Sequence, residues 1–290
     1  MNHSILEIIG NTPLLHLQNF EQKNASHIKI YAKLEYMNPF GSIKDRAALQ
    51  IITDAENQIT NNKFELMEAT SGNMGIALSA IGKIMGYTTT IIMPENASEM
   101  RKKVIKSYGA SLILTPKNLG MQGSIEMAHQ LQNNKANVFF ANQFENTSSV
   151  KAHYLSTAPE IFEQSQGEVD AIVCGIGSGG TIVGISKYIK EFHYKTKIIG
   201  VLPSEFPHNI QGIGAEFTPK ILDLNLIDEI VYVYDEEAIE SLHMLLKTEG
   251  IFVGPSSGAV LSAALKLDKR KEYHNKKIVL IFADSGERYI

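Results

Sequence analysis

From residue 63 onward, short apolar runs alternate with amphipathic helical patterns, and that rhythm restricts the chain to one broad architecture. "KFELMEA" reads as a strand and "GNMGIALSAIGKIMG" as a helix stopped by Gly86. "TTTIIMP" is a strand, "ASEMRKKVIKSYG" a helix stopped by Gly109, "SLILT" a strand, "GMQGSIEMAHQLQ" a helix and "NVFFANQ" a strand. A second series starts at "DAIVCG" and runs through the helix "TIVGISKYIKEF" and the strands "KIIGVLP" and "EIVYVYD". It continues with the helices "EEAIESLHMLLKTEG" and "GAVLSAALKLD" and ends on the strand "KKIVLIFAD". A β-α-β order implies parallel strands joined by right-handed helical crossovers. Two open α/β sheets fit the two series better than one. The polar, helical stretch "ENTSSVKAHYLSTAPEIFEQSQGEVD" bridges them, and no internal repeat is visible.

Composition removes several classes of function. The chain has 290 residues, is 44% hydrophobic and carries a formal net charge of −4, a soluble globular composition. Slight acidity argues against nucleic acid or an anionic membrane as partner. No apolar run approaches the ~20 residues of a membrane span. The start, "MNHSILEIIGNTPLL", lacks a basic segment followed by a signal core, so a cytoplasmic location is expected. The single cysteine, Cys174, excludes an internal disulfide and any cysteine-based metal cluster, and no metal is expected. Cys174 reads as a small buried core residue, His153 as structural, and Arg101, Lys102, Lys103 and Lys106 as the solvated face of their helix.

In open α/β sheets ligands bind beyond the carboxyl ends of the strands, and three glycine-rich turns lie at such places. "CGIGSGGT" follows a strand and opens a helix at about Thr181. Its glycines leave backbone N–H groups uncovered, the helix start adds positive potential, and Ser178 and Thr181 add hydroxyls, which together make a phosphate cradle. Gly175, Gly177 and Gly180 also satisfy the dinucleotide pattern G-x-G-x-x-G. That reading needs an acidic residue about 20 residues on, and the next strand offers only Glu205, late and beyond Pro203. In "EATSGNMG" the side chains of Thr70, Ser71 and Asn73, with the N–H groups after Gly72, suit a carboxylate. An ordinary N-cap by Ser71 or Asn73 is the plainer alternative. In "VGPSSGAV", Ser256 is placed at a strand end with its hydroxyl toward the cradle.

The remaining element is a lysine in an unfavourable place. In "NPFGSIKDRAA", Pro39 and Gly41 break the chain, Ser42 can cap, and a helical pattern begins at Ile43. Lys44 then sits in the first helical turn, where the macrodipole disfavours an ammonium. Desolvation and the dipole both lower its pKa, as an amine that reacts unprotonated requires. A reactive lysine, a phosphate cradle, a carboxylate clamp and a lone hydroxyl are what pyridoxal 5′-phosphate needs. A serine at the pyridine nitrogen, in place of a carboxylate, suits β-elimination better than transamination.

Over essentially its whole length the chain resembles the cysteine synthases (O-acetylserine sulfhydrylases). These are fold type II pyridoxal-phosphate enzymes, grouped with cystathionine β-synthase. The motifs that carry the resemblance include "GNTPLL", "NPFGSIKDRAA", "EATSGNMGIAL", "MPENASEMRKKVIKSYGA" and "NQFEN". "GIGSGGT", "IQGIGAEF", "GPSSGA" and the closing "DSGERY" complete the set. The resemblance implies a tryptophan synthase β-like α/β fold of two mostly parallel twisted sheets, with the cofactor in the cleft between domains. Residues 43–147 would form a smaller mobile domain with the carboxylate loop, and 1–42 plus 148–290 a larger one with the phosphate loop. It implies that Lys44 carries the cofactor and Asn73 binds its 3′-oxygen. Gly177, Ser178, Gly179, Gly180 and Thr181 would hold the phosphate, and Ser256 would face the pyridine nitrogen. Thr70, Ser71, Gly72, Asn73, Met74, Gln143, Gly212 and Glu216 would line the substrate site. The implied reaction is a β-replacement through α-aminoacrylate, giving L-cysteine from O-acetylserine and sulfide. A homodimer is implied, and a serine acetyltransferase is a conceivable partner.

Two positions depart from the family pattern. Met74 stands where the carboxylate loop usually has a second threonine, and Glu216 where the later loop usually has glycine. Cystathionine β-synthases carry an acidic residue at the matching place. The donor therefore stays open among O-acetylserine, O-phosphoserine, serine and cysteine, and the nucleophile among sulfide, homocysteine and water. Cystathionine formation, or release of sulfide from cysteine, is the main alternative.

Overall fold

The computed structural model describes residues 3–58, 64–135 and 137–290. Lys63, expected to begin the first strand of the alternating series, lies outside these residues, as do Met1 and Asn2 of the chain start. Among the described residues, ten strands form two sheets. They are β1 Leu14–His16, β2 Lys29–Leu34, β3 Glu65–Ala69, β4 Thr88–Pro94 and β5 Ser111–Thr115. The rest are β6 Val138–Phe140, β7 Ala171–Gly175, β8 Lys197–Pro203, β9 Glu229–Val233 and β10 Lys277–Phe282. The first sheet has the order β5-β4-β3-β6 and is wholly parallel. The second runs β1-β2-β10-β7-β8-β9, parallel except for the antiparallel pair β1–β2. The two sheets expected from the rhythm are present. The opening pair β1 and β2 and the helix Gln18–Asn24 add to them, in a region where the sequence reading named no elements.

Both faces of the larger sheet are covered, which explains the unbroken apolar runs in its strands. In β7, Ala171 and Val173 join the core beneath the helices Asp235–Glu249 and Pro255–Asp268, with Leu245 and Leu261. Ile172 and Cys174 point to the other face and pack with Ile182 and Ile185 of the helix Gly180–Glu191. Cys174 is therefore a core residue, as expected, and burial pushes its thiol up to about 12. The smaller sheet repeats the arrangement, with Leu66 facing one core and Met67 and Ala69 the other.

Two expectations are corrected. Arg101 and Lys102 are buried, at 5% and 7% exposure, and only Lys103 and Lys106 of that cluster are exposed. Lys102 reaches back to the Glu95 carbonyl and to Glu99, while Arg101 turns into the cleft described below. The helix expected from Gly258 begins at Pro255, whose fixed φ suits a first helical position. Ser256 therefore lies in the first turn of a helix and not at a strand end.

Candidate active site

The loop after β2 turns through Gly41 at φ +79 and enters the helix Lys44–Gln58. The Lys44 N–H donates to Ser42 Oγ at 3.2 Å, so Ser42 caps the helix that Lys44 begins. Lys44 projects into a cavity with Asn73, Ser256 and the glycine loop after β7 around it. Burial holds its ammonium below the ordinary lysine range, against smaller opposing pulls from Cys174 and Asp284. Among the described residues Lys44 forms no salt bridge, so no fixed carboxylate keeps it protonated.

The cradle expected to hold phosphate is built from two loops in contact. Gly179, at φ +91, caps the helix Gly180–Glu191, whose first N–H groups have no partner within the helix. A Cβ at Gly177 would strike the Gly212 carbonyl oxygen, so only glycine lets these loops approach. Gly177, Ser178, Gly179, Thr181, Gly212 and Ser256 all line this inner cavity. Gly180 does not. Its Cα faces Ser149, and a Cβ there would come within 2.9 Å of the Ser149 Cβ. His153 is buried, burial drives its pKa well below the usual imidazole value, and its ring bonds Thr157 at 2.8 Å and Thr181 at 3.2 Å. This neutral imidazole orients the Thr181 hydroxyl.

A second cavity of about 490 Å³ opens outward from Lys44 and receives the carboxylate loop. Thr70, Ser71, Gly72, Asn73 and Met74 line it from the smaller sheet, and Gln143 and Glu216 complete its wall. The helix here starts at Asn73 with Gly72 as its cap and no side-chain cap bond, so neither Ser71 nor Asn73 is engaged as an ordinary N-cap. Met74 is also packed into the core, at 2% exposure. Glu216 stands exposed at the mouth, with Oε2 3.6 Å from where a Gly120 Cβ would lie. Glu205 is exposed past the end of β8, remote from the role the dinucleotide pattern would give it.

Several residues at the site escaped the sequence reading. Glu68, with no exposure, holds both the backbone and the side-chain amide of Gln143. Arg101 Nη1 donates to Gln211 Oε1 at 2.8 Å and to the Ser71 carbonyl at 3.4 Å, and its guanidinium lies 4.9 Å from the Tyr289 ring centre. Asp284 and Arg288 both bond the Asn73 side chain. All lie inside motifs already quoted, but nothing in their spacing identified their partners.

These residues suit pyridoxal phosphate. The cradle is closed to any Cβ at Gly177, the helix start offers unpaired N–H groups, and Ser256, 5% exposed, lines the cavity beside Lys44. The model of the family described as pyridoxal-phosphate dependent enzymes matches residues 5–284, and the chain belongs to that family. Within the family it is similar to the cysteine synthases. It is 40% identical to cysteine synthase A of Escherichia coli K12 over 97% of this chain and 92% of that one. It is 44% identical to the cysteine synthase of Buchnera aphidicola from Schizaphis graminum, over the same shares. Among solved structures, a cysteine synthase of Entamoeba histolytica superposes with a TM-score of 0.94 at 39% identity, covering 100% of this chain and 89% of the other. A hydrogen sulfide-producing enzyme of Fusobacterium nucleatum also gives 0.94, at 37% identity and full coverage of both chains.

Proposed function

We propose that this chain makes L-cysteine and acetate from O-acetyl-L-serine and sulfide. The observation that carries the reading is the convergence of Lys44, the glycine cradle and the carboxylate loop on one continuous cleft. Pyridoxal phosphate supplies an electron sink for the carbanion formed at the substrate Cα. The chain supplies the rest. Lys44 Nζ, whose pKa burial lowers, anchors the cofactor and then takes the Cα proton. Ser178, Gly179 and Thr181 bind the phosphate beside Gly177, with Gly180 opening the helix whose N–H groups they use. Ser256 meets the pyridine nitrogen, and Asn73 the 3′-oxygen. Thr70, Ser71, Gly72 and Gln143 hold the substrate carboxylate, and Met74 and Gly212 shape the pocket around it.

The same proposal has residues 43–147 closing as a smaller unit over 1–42 plus 148–290. All four strands of the smaller sheet fall within the first range, which supports that division. Closure expels water from the reacting groups. The proposal also takes the protein to be a cytoplasmic homodimer, with serine acetyltransferase as a candidate partner. The test is the absorption spectrum of the purified protein. A visible cofactor band that disappears in Lys44→Ala, and that responds to O-acetylserine with cysteine formed on adding sulfide, is the expected result. A band that survives Lys44→Ala rejects the assignment.

A second reading is favoured by Glu216 alone. A carboxylate at the cleft mouth can activate water, so that L-cysteine is converted to L-serine with release of sulfide. It can also hold the ammonium of a thiol such as homocysteine. The likeness to a sulfide-producing enzyme is compatible with the former. Titration with L-cysteine separates the readings: sulfide release abolished by Glu216→Gly supports the second, and no release supports the first.

A further inference from the structure

Both polar ends of the Asn73 amide are held by the C-terminal turn that follows β10. Asn73 Nδ2 donates to Asp284 Oδ2 at 2.6 Å, and Asn73 Oδ1 accepts from Arg288 Nη1. A guanidinium has only donors, so Arg288 admits a single orientation of this amide, with the oxygen toward itself. Reversal would set N–H against N–H at Arg288 and oxygen against oxygen at an ionised Asp284. The amide nitrogen carries two N–H groups, and Asp284 takes one of them. Asn73 lines the inner cavity beside Lys44, where the second N–H is available to a ligand.

The same turn is itself tied down. Arg288 Nη2 donates to the Phe40 carbonyl, on the segment that leads into Lys44, and its guanidinium lies against Gly41, leaving no room there for a Cβ. Tyr289 OH donates to Asp284 Oδ2, and Arg101 lies over the Tyr289 ring. Asp284 is 1% exposed and bridges to Ser42 through its backbone. One guanidinium thus links the approach to Lys44 with the amide at the start of the helix Asn73–Ile84.

We propose that Asp284 and Arg288 are positioning residues for the cofactor: they lock the Asn73 amide so that its second Nδ2–H meets the cofactor's 3′-oxygen. The inference rests on the assignment of Asn73 made under Proposed function. A hydrogen bond at that oxygen affects both the affinity for pyridoxal phosphate and the position of its visible band, and neither readout requires turnover.

The test is a double-mutant cycle on the full chain, with pyridoxal phosphate titrated into protein stripped of cofactor. Arg288→Met and Asn73→Ala are made singly and together, with thermal melts to establish folding. Arg288→Met is expected to weaken pyridoxal phosphate by roughly tenfold, the scale of one charge-assisted hydrogen bond, and to shift the band in the same sense as Asn73→Ala. Added to Asn73→Ala, it is expected to change the affinity less than about twofold, because its route of action is already gone. Should Arg288→Met fail to fold, Arg288→Lys keeps the charge and carries the same cycle, with the same coupling expected. Effects that simply add, or an Arg288 variant with unaltered band and affinity, would overturn the inference while leaving Asn73 as a ligand. An Asn73→Ala protein with normal band and affinity would remove the assignment of Asn73 and the inference with it.

Discussion

Gln143 Nε2 donates to Glu68 Oε1 at 3.3 Å, deep under the carboxylate loop. Glu68 has no solvent exposure, and burial pushes its carboxyl up to about 8, against lowering contributions from the Gln143 and neighbouring backbone amides. The Gln143 amide, proposed to bind the substrate carboxylate, is therefore anchored on an acid that is mostly neutral at pH 7. The unfolded chain binds fewer protons at this residue than the folded one between the ordinary glutamate value and about 8. The contribution of Glu68 to stability is full below the ordinary value and is lost as pH rises through about 8. Denaturation midpoints measured from pH 5 to 9 are expected to fall with rising pH in the wild type and to flatten in Glu68→Gln. In Glu68→Ala, loss of the anchor is expected to raise KM for the amino-acid substrate by about tenfold. An unchanged KM would separate Gln143 from substrate binding.

Gly177 faces the Gly212 carbonyl with no space for a side chain. Gly177→Ala must push the two loops of the cradle apart, an overpacking effect of about 1–3 kcal/mol on stability. Affinity for pyridoxal phosphate is expected to drop by at least roughly tenfold, since the cradle N–H groups move with the loop. Equilibrium titration of the cofactor measures this, and wild-type affinity would show that the loops can separate without disturbing the site.

Behind the site, Arg46 and Lys33 share two acids. Arg46 bonds Glu35 at 2.7 Å and Glu160 at 2.5 Å, and Lys33 bonds Glu160 at 2.7 Å. Lys33 and Glu35 have no exposure and Arg46 has 3%. Two cations against two carboxylates balance, and the bonds to Arg46 and Lys33 hold the Glu160 carboxyl below the usual range despite its burial. Glu160→Ala strands buried positive charge and is expected to destabilise the protein by about 3–5 kcal/mol. Chemical denaturation of the variant decides this. A loss under 1 kcal/mol would mean that water repairs the network.

Arg101 spans the cleft from the helix Glu99–Ser107 to Gln211 and Tyr289. If this bridge helps keep the cleft shut during turnover, Arg101→Ala lets the unsaturated amino acid left after acetate loss escape, and water then hydrolyses its imine form at Cα to pyruvate and ammonia. Pyruvate and ammonia are then expected at several times the wild-type rate with O-acetylserine alone. Equal pyruvate release from both proteins would assign Arg101 to packing only.

Much of the candidate site was legible because its chemistry is local. Glycines that clear a backbone, a serine that caps a helix and a lysine in a first turn are decided by neighbours a few residues apart. The alternation of "TTTIIMP" and "SLILT" with helical patterns placed strands to the residue, the first because a buried parallel strand must be apolar on both faces. The start of the chain was silent for the opposite reason: β2 carries Lys33, whose burial only makes sense beside Glu160, 127 residues away. Arg101 and Lys102 looked like a solvated face because periodicity reports how apolar a position is and says nothing of what a long charged side chain can reach. The sequence by itself determined the layered fold and the cofactor, and it marked the loops proposed to receive it. Only the tertiary structure decided that Asp284 and Arg288 grip Asn73, that Glu68 holds Gln143 and that Arg101 bridges the cleft. Those contacts join residues 75 to 215 positions apart: the Glu68–Gln143 pair needs β3 laid beside β6, and the others exist only once the two sheets have packed.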